Sequence, residues 1–71
     1  MSIKLGIYKH YKGNLYKVYF VAKHTETLEE LACYEALYEN MDGKFWVRPL
    51  KMFLETVEIN GNVVKRFEFI R

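Results

Sequence analysis

Hydrophobic and polar side chains alternate along much of this chain, and a two-residue period is typical of a half-buried β-strand. The pattern is clearest over residues 15–23, where β-branched and aromatic residues, which strands favour, are frequent. One face of this predicted strand carries Tyr16, Val18, Phe20 and Ala22, and the other carries Lys17, Tyr19, Val21 and Lys23.

Glycine and proline separate the other predicted elements. Gly6–Tyr11 is expected to be a short strand that ends in a turn over residues 12–14, because Gly and Asn tolerate a positive φ. Phe45–Arg48 is expected to be another strand, and Pro49 ends it because proline lacks the amide that a ladder needs. Leu50–Phe53 then has the composition of a single helical turn that closes one end of the core.

The end of the chain carries a strong hairpin signal. Asn60–Gly61 is a two-residue turn, and closing it pairs Val57 with Val64 on a face that we expect to point inward. Strict alternation places Phe67 and Phe69 on the solvent-facing side of this hairpin. A bulge or a switch to another sheet after the hairpin would turn both rings inward.

Residues 25–40 fit two structures. Their Leu, Ala and Glu content favours a helix, and Thr27 with Glu30 resembles a capping box. However, Glu35 and Glu39 would then lie one turn apart within the apolar stripe, where like charges repel. As a strand, the segment places four small or aromatic residues on one face: Ala32, Tyr34, Ala36 and Tyr38. The residues alone leave both structures open.

Composition indicates a small, dense core. Hydrophobic residues make up 51% of the 71 residues, and six Tyr, five Phe and one Trp supply large buried areas. The net charge of +2 does not by itself indicate nucleic acid. A lone cysteine, Cys33, and no secretory leader at Met1–Leu5 suggest a reducing cytoplasm, and no apolar run is long enough for a membrane span.

The candidate ligand-binding residues are aromatic or basic. If Tyr34 and Trp46 lie on neighbouring strands, Arg48 can stand beside them, and such a surface suits a flat ring, a phosphate or a carboxylate. Tyr8 and His10 complete the candidate set. The ordinary alternative is that Trp46 anchors the core and that Arg48 pairs with a nearby glutamate, for which Glu26 and Glu55 are the candidates.

Two other functions have weaker signals. Tyr8, His10, Tyr11 and Lys12 form a basic aromatic cluster of the kind on which nucleic-acid bases stack. A metal site could use His10, His24 and Glu26, although both histidines could instead accept backbone hydrogen bonds at turns. No cofactor is expected, and the sequence shows no catalytic triad, phosphate loop or carboxylate pair that would indicate an enzyme.

Four segments carry a resemblance to a known family: Gly6–Gly13, His24–Thr27, Tyr34–Tyr38 and Trp46–Phe53. In this order they resemble small bacterial proteins known only as domain of unknown function 1653. The resemblance implies no activity or site residue. It implies a fold similar to SH3-like barrels, and it favours a strand over residues 32–38.

The combined expectation is a single all-β domain over residues 1–71, built as a small SH3-like barrel of about five strands with a helical turn near residues 50–53. Its predicted role is a binding or adaptor module whose partner is a peptide or a small molecule. A nucleic-acid accessory domain is the first alternative, and a small metal-dependent enzyme is the second.

Overall fold

The computed structural model describes residues 3–71; Met1 and Ser2, where the predicted absence of a leader partly falls, lie outside them. The described residues form β1 (Gly6–His10), β2 (Leu15–Lys23), β3 (Glu30–Ala36), β4 (Phe45–Pro49), α1 (Leu50–Phe53), β5 (Thr56–Ile59), β6 (Asn62–Lys65) and β7 (Phe67–Phe69). The fold is therefore mostly β, as predicted. No helix within residues 3–71 is long and apolar enough to cross a membrane.

Five strands form one antiparallel sheet in the order β4-β3-β2-β1-β7, and β5 pairs only with β6 in a separate hairpin. Within residues 3–71 no ladder joins the edge strands β4 and β7, so the sheet is open and the expected closed barrel is not confirmed. The sheet is nevertheless strongly curved. Three strand spacings would separate β3 from β7 by about 14 Å in a flat sheet, yet the ring centroids of Tyr34 and Phe67 are 5.8 Å apart.

A bulge in β2 corrects the predicted faces of that strand. Val18 pairs with Tyr34 and Phe20 pairs with Cys33, so Tyr19 is an extra residue without a partner on β3. The alternation shifts at this point, and Val21 rather than Phe20 packs against the core. Phe20 is 56% exposed on the outer face of the sheet.

The ambiguous segment forms a strand. β3 lies between β2 and β4 and pairs with both, so tertiary pairing outweighs the helix propensity of its Leu, Ala and Glu residues. The expected capping box is absent because residues 24–28 form a turn, closed by a hydrogen bond from the Leu28 amide to the His24 carbonyl. Thr27 Oγ1 instead accepts a hydrogen bond from the Glu29 amide.

The core lies on the inner, concave face of the sheet and is covered by α1. Leu50 and Phe53 of α1 are 2% and 1% exposed, and Phe53 stacks on Phe67 with centroids 4.1 Å apart. Pro49 precedes this single turn, as predicted. The cluster of buried hydrophobic residues comprises Tyr8, Val18, Ala32, Tyr34, Leu50, Phe53 and Phe67.

The C-terminal segment changes partner after the hairpin. Val57 pairs with Val64 as predicted. Val57 is half-buried and Val64 is 38% exposed, so this pair faces inward only in part. After Arg66 the chain joins the main sheet, where Phe67 pairs with His10 of β1. This switch places Phe67 in the core, and Phe69 packs against it.

Candidate ligand-binding site

The structure brings together Tyr34, Trp46 and Arg48 on two adjacent strands. Tyr34 on β3 pairs with Trp46 on β4, and Ala32 pairs with Arg48 two residues further along β4. Residues two apart on a strand point to the same side. The two aromatic rings and the guanidinium therefore emerge together on the inner face of the sheet.

These three side chains line one small pocket, which we call the tyrosine–arginine pocket. It has a volume of about 190 Å³ and is lined by Tyr16, Tyr34, Tyr38, Asn40, Trp46 and Arg48. Pockets that enclose a drug-sized molecule usually measure about 300 Å³ or more. This pocket therefore suits one small group, such as a single ring or an acid group of a larger ligand.

Polar atoms converge on the pocket. The hydroxyls of Tyr16 and Tyr38 are hydrogen-bonded at 2.8 Å, and Asn40 Nδ2 donates to the Tyr38 hydroxyl at 3.4 Å. Burial, followed by the hydrogen bond with Tyr38, raises the pKa of Tyr16 to about 12. Tyr16 is thus a neutral phenol at physiological pH and can donate or accept a hydrogen bond.

Arg48 is held by aromatic groups. Its Nε donates to the Tyr34 hydroxyl at 3.4 Å, and its guanidinium carbon lies 5.6 Å from the centroid of the Phe67 ring. Within residues 3–71 the only ion pair seen is Lys44 with Glu35, at 3.0 Å. Pairing of Arg48 with Glu26 or Glu55 is therefore not observed, and its remaining donors can serve a ligand.

Trp46 is intermediate between the core and the surface. The ring packs against the buried cluster, and its Nε1 donates to the Gly43 carbonyl at 3.2 Å. This hydrogen bond satisfies the indole donor, so Trp46 offers a ligand its ring rather than its N–H.

His10 stands at the end of β1 beside the pocket. Its ring lies 6.3 Å from that of Tyr16 and 4.9 Å from that of Phe67, measured between centroids. Burial lowers the pKa of His10, and the positive charges of Arg48, Arg66 and Lys12 lower it further. His10 is therefore biased toward its neutral form.

Tyr8, the remaining candidate, lies in the core rather than on the binding surface. It is 5% exposed, and its hydroxyl donates to the Lys4 carbonyl at 2.7 Å. Its ring meets those of Phe53 and Phe69 edge to face. Tyr8 is thus part of the core and does not line the pocket.

The predicted metal ligands do not converge. His10 and His24 flank opposite ends of the β1–β2 hairpin, and the nine residues of β2 alone span about 26 Å. Residues 3–71 contain no group of three or more His, Cys, Asp or Glu residues that could hold a metal ion. Each histidine Nδ1 instead accepts a hydrogen bond from a backbone amide, that of Lys12 for His10 and that of Glu26 for His24.

A larger groove of about 630 Å³ is formed mainly by residues of the outer face, Tyr19, Phe20, Cys33, Phe45 and Val47, and it also borders on Tyr34 and Trp46. Beside it, Glu35 accepts a hydrogen bond from the Tyr19 hydroxyl and pairs with Lys44, and these two contacts lower the pKa of Glu35. The carboxylate is thus satisfied internally. Because the groove itself is almost wholly apolar, the tyrosine–arginine pocket has the better set of orienting polar groups.

The sequence-based candidates omit four residues of the site. Tyr16, Tyr38 and Asn40 line the pocket, and Phe67 supports both Arg48 and His10. The alternation of the sequence placed Tyr16 and Tyr38 on definite faces of two predicted strands. Only the pairing of Tyr16 with Ala36, near the end of β3, shows that those faces meet. For Phe67 the signal was its conflict with the alternation of the last hairpin.

The fold and this site define a small, mostly β domain with an aromatic pocket on the inner face of a curved sheet. The chain belongs to the DUF1653 family, described as proteins of unknown function, whose model matches residues 6–69. A crystal structure of a protein of that family from Bordetella bronchiseptica is similar, with a TM-score of 0.92 and 30% sequence identity over 97% of this chain and 88% of that one. No curated protein matches the chain.

Proposed function

We propose that this domain is a binding module and that the tyrosine–arginine pocket receives a flat or acidic group of a small molecule or peptide. One observation carries the proposal: the Arg48 guanidinium is oriented by Tyr34 and Phe67, yet it has no carboxylate partner within residues 3–71. A guanidinium fixed by packing loses little side-chain entropy when it binds a carboxylate or phosphate in two-pronged fashion.

The surrounding rings support the same proposal. Tyr16 and Trp46 offer aromatic surface, while Tyr38 and Asn40 offer hydrogen-bonding groups at the rim. A flat acid can therefore contact rings with its body and Arg48 with its charged end. Benzoate combines these two features and is the simplest probe.

The test is a titration of the full chain with benzoate. Trp46 is the only tryptophan, so its fluorescence reports on the pocket directly. We expect saturable quenching, together with chemical-shift changes at the Tyr34, Asn40 and Trp46 amides. Benzamide, which keeps the ring and lacks the charge, should bind at least tenfold more weakly.

Arg48→Gln should weaken benzoate binding at least tenfold, because the charged, two-pronged contact is lost. Arg71→Gln is the matched control, since it removes the same charge from an exposed residue that does not line the pocket. Equal binding by the Arg48→Gln and wild-type proteins would refute the proposal.

Tyr38→Phe provides a second variant in case Arg48→Gln does not fold. Tyr38 is 37% exposed, and the substitution removes only the hydroxyl that joins Tyr16 to Asn40. We expect it to fold and to bind benzoate several-fold more weakly. Unchanged binding by Tyr38→Phe would likewise refute this location for the site.

A further inference from the structure

The basic side chains near the tyrosine–arginine pocket are more numerous than one carboxylate would require. Arg48 and His10 come from opposite sides of the sheet, on β4 and β1, and both contact the ring of Phe67. The strands that carry them are separated by β3 and β2, so they meet only because the sheet is curved. The ring of Phe67 therefore lies between Arg48 and His10 and holds these two basic side chains in one small basic area.

Arg66 and Lys12 add to this charge. Arg66 directly precedes Phe67, and its backbone carbonyl accepts a hydrogen bond from the Tyr11 amide at 2.9 Å. The Nε atom of Arg66 is buried and has no hydrogen-bond partner among residues 3–71. The positive charge of Arg66 is nevertheless close enough to act on His10, because it is one of the charges that lower the pKa of that ring. Within residues 3–71, neither Arg66 nor Lys12 is seen in an ion pair.

His10 has the hydrogen-bonding state that an anion requires. Its Nδ1 accepts a hydrogen bond from the Lys12 amide at 3.2 Å, so the neutral ring carries its proton on Nε2. Nε2–H can therefore donate to a ligand. A doubly charged ligand would also favour protonation of the ring, since it would offset the neighbouring cations.

We propose that Arg48, His10 and Arg66 form a subsite for a phosphate monoester beside the tyrosine–arginine pocket, so that the ligand is a phosphorylated small molecule whose flat ring enters the pocket. This inference rests on the proposed function, because it assigns the ligand class of the same site. A phosphate monoester has nearly two negative charges at neutral pH and three acceptor oxygens, whereas a carboxylate has one charge. It therefore matches two guanidinium groups and an imidazole donor better than a carboxylate does.

The experiment compares phenyl phosphate with benzoate at pH 7.5, using Trp46 fluorescence and the imidazole signals of His10. Both probes carry one phenyl ring, so they differ mainly in the acid group. We expect phenyl phosphate to bind at least tenfold more tightly than benzoate. We also expect it to raise the pKa of His10 measured by NMR, which ring binding alone would not do.

Arg66→Gln should reduce the preference for phenyl phosphate over benzoate to less than about threefold while leaving benzoate binding within about twofold. His10→Gln should reduce the same preference to less than about threefold. Lys9→Gln is the control, because Lys9 points away from Phe67 and pairs across the strand with Glu68. If Arg66→Gln fails to fold, the change in His10→Gln decides the result. If Arg66→Gln and His10→Gln keep the full preference for phenyl phosphate over benzoate, the proposed phosphate subsite is wrong.

The outcomes separate the two proposals. If benzoate binds and phenyl phosphate binds no more tightly, the phosphate subsite is wrong and the proposed pocket stands. If neither probe binds, the proposed function fails and the subsite fails with it. If a short oligonucleotide without a terminal phosphate competes as well as phenyl phosphate does, the basic area recognises a nucleic-acid backbone, and the assignment to a small monoester is overturned.

Discussion

Phe53 and Phe67 stack face to face, with ring centroids 4.1 Å apart and planes inclined by 7°. Phe53 belongs to the single turn of α1, and Phe67 belongs to the edge strand β7. Among residues 3–71, α1 is the only helix, and it directly follows β4 at one edge of the sheet. The contact therefore attaches α1 to β7, the strand at the opposite edge. Because Phe67 also lies under Arg48 and His10, the core and the candidate site share one ring.

Phe53→Ala should lower the free energy of unfolding by about 3–5 kcal/mol, because a 1% exposed ring leaves a cavity. Phe53→Leu should cost less, since it retains most of the volume. Urea unfolding followed by circular dichroism measures both. Met52→Ala is the control: Met52 is on the same turn but 45% exposed, and its loss should cost less than about 1 kcal/mol. Equal losses at the two positions would contradict the observed packing.

The bulge at Tyr19 predicts losses of stability of different size at the apolar residues on either side of it. Val18 is 1% exposed, and Val18→Ala should cost about 2 kcal/mol of stability. Phe20 is 56% exposed, so Phe20→Ala should cost less than about 1 kcal/mol despite the larger side chain removed. The same urea measurement tests both variants. A larger loss at Phe20 would restore the uninterrupted alternation that the sequence suggested.

Gly6 is required where β1 meets the end of the chain. Its φ is +138°, and a Cβ atom would lie 2.5 Å from the backbone oxygen of Arg71. Gly6→Ala should therefore destabilise the domain by roughly 2 kcal/mol or more, through both strain and a backbone clash. Gly13→Ala is matched in strain, with a φ of +107°, but a Cβ there would meet no atom of residues 3–71 within 4 Å. It should cost about 1 kcal/mol, and thermal unfolding of the two variants would show whether the clash matters.

His10 should make stability depend on pH. The folded state lowers the pKa of His10 through burial and through Arg48, Arg66 and Lys12, so the unfolded chain takes up the proton first as the pH falls. The stability associated with neutral His10 is complete above the ordinary pKa of about 6.5. It decreases as the pH drops through that value toward the lower pKa of the folded state.

Unfolding free energies measured between pH 8 and pH 5 test this dependence. His10→Gln should have a shallower decline than the wild-type protein over that range. Arg48→Met should raise the pKa of His10 in an NMR titration, since one of the neighbouring positive charges is removed. An unchanged slope in His10→Gln would show that other groups cause the pH dependence.

Local sequence signals were sufficient for the elements whose structure depends on nearby residues. Three elements form as the turn chemistry predicts: the strand that ends at Pro49, the helical turn after it, and the hairpin at Asn60–Gly61. The same reasoning failed within β2 because Tyr19–Ala22 is a continuous apolar run. Either alternate set of that run can face the core, and pairing with β3 decides between them.

The site was predictable only in part for the same reason. Tyr34 and Trp46 lie opposite each other on neighbouring strands, an arrangement that the sequence left as a condition for the site. Arg48 and Phe67 are brought together by the curvature of a five-stranded sheet, which no short sequence pattern records. Tyr8 is an aromatic residue of the kind that often binds ligands, yet its position at the centre of β1 places it in the core.

The β5–β6 hairpin forms its own two-stranded ladder, and at its tip Asn60 and Gly61 have φ angles of 50° and 81°. Neither tip residue belongs to the buried cluster or lines the tyrosine–arginine pocket. Exposed loop tips of this kind accept inserted sequence readily. An affinity tag or a fluorescent reporter grafted between Asn60 and Gly61 would thus immobilise or label the domain while leaving the packing around Phe53 intact.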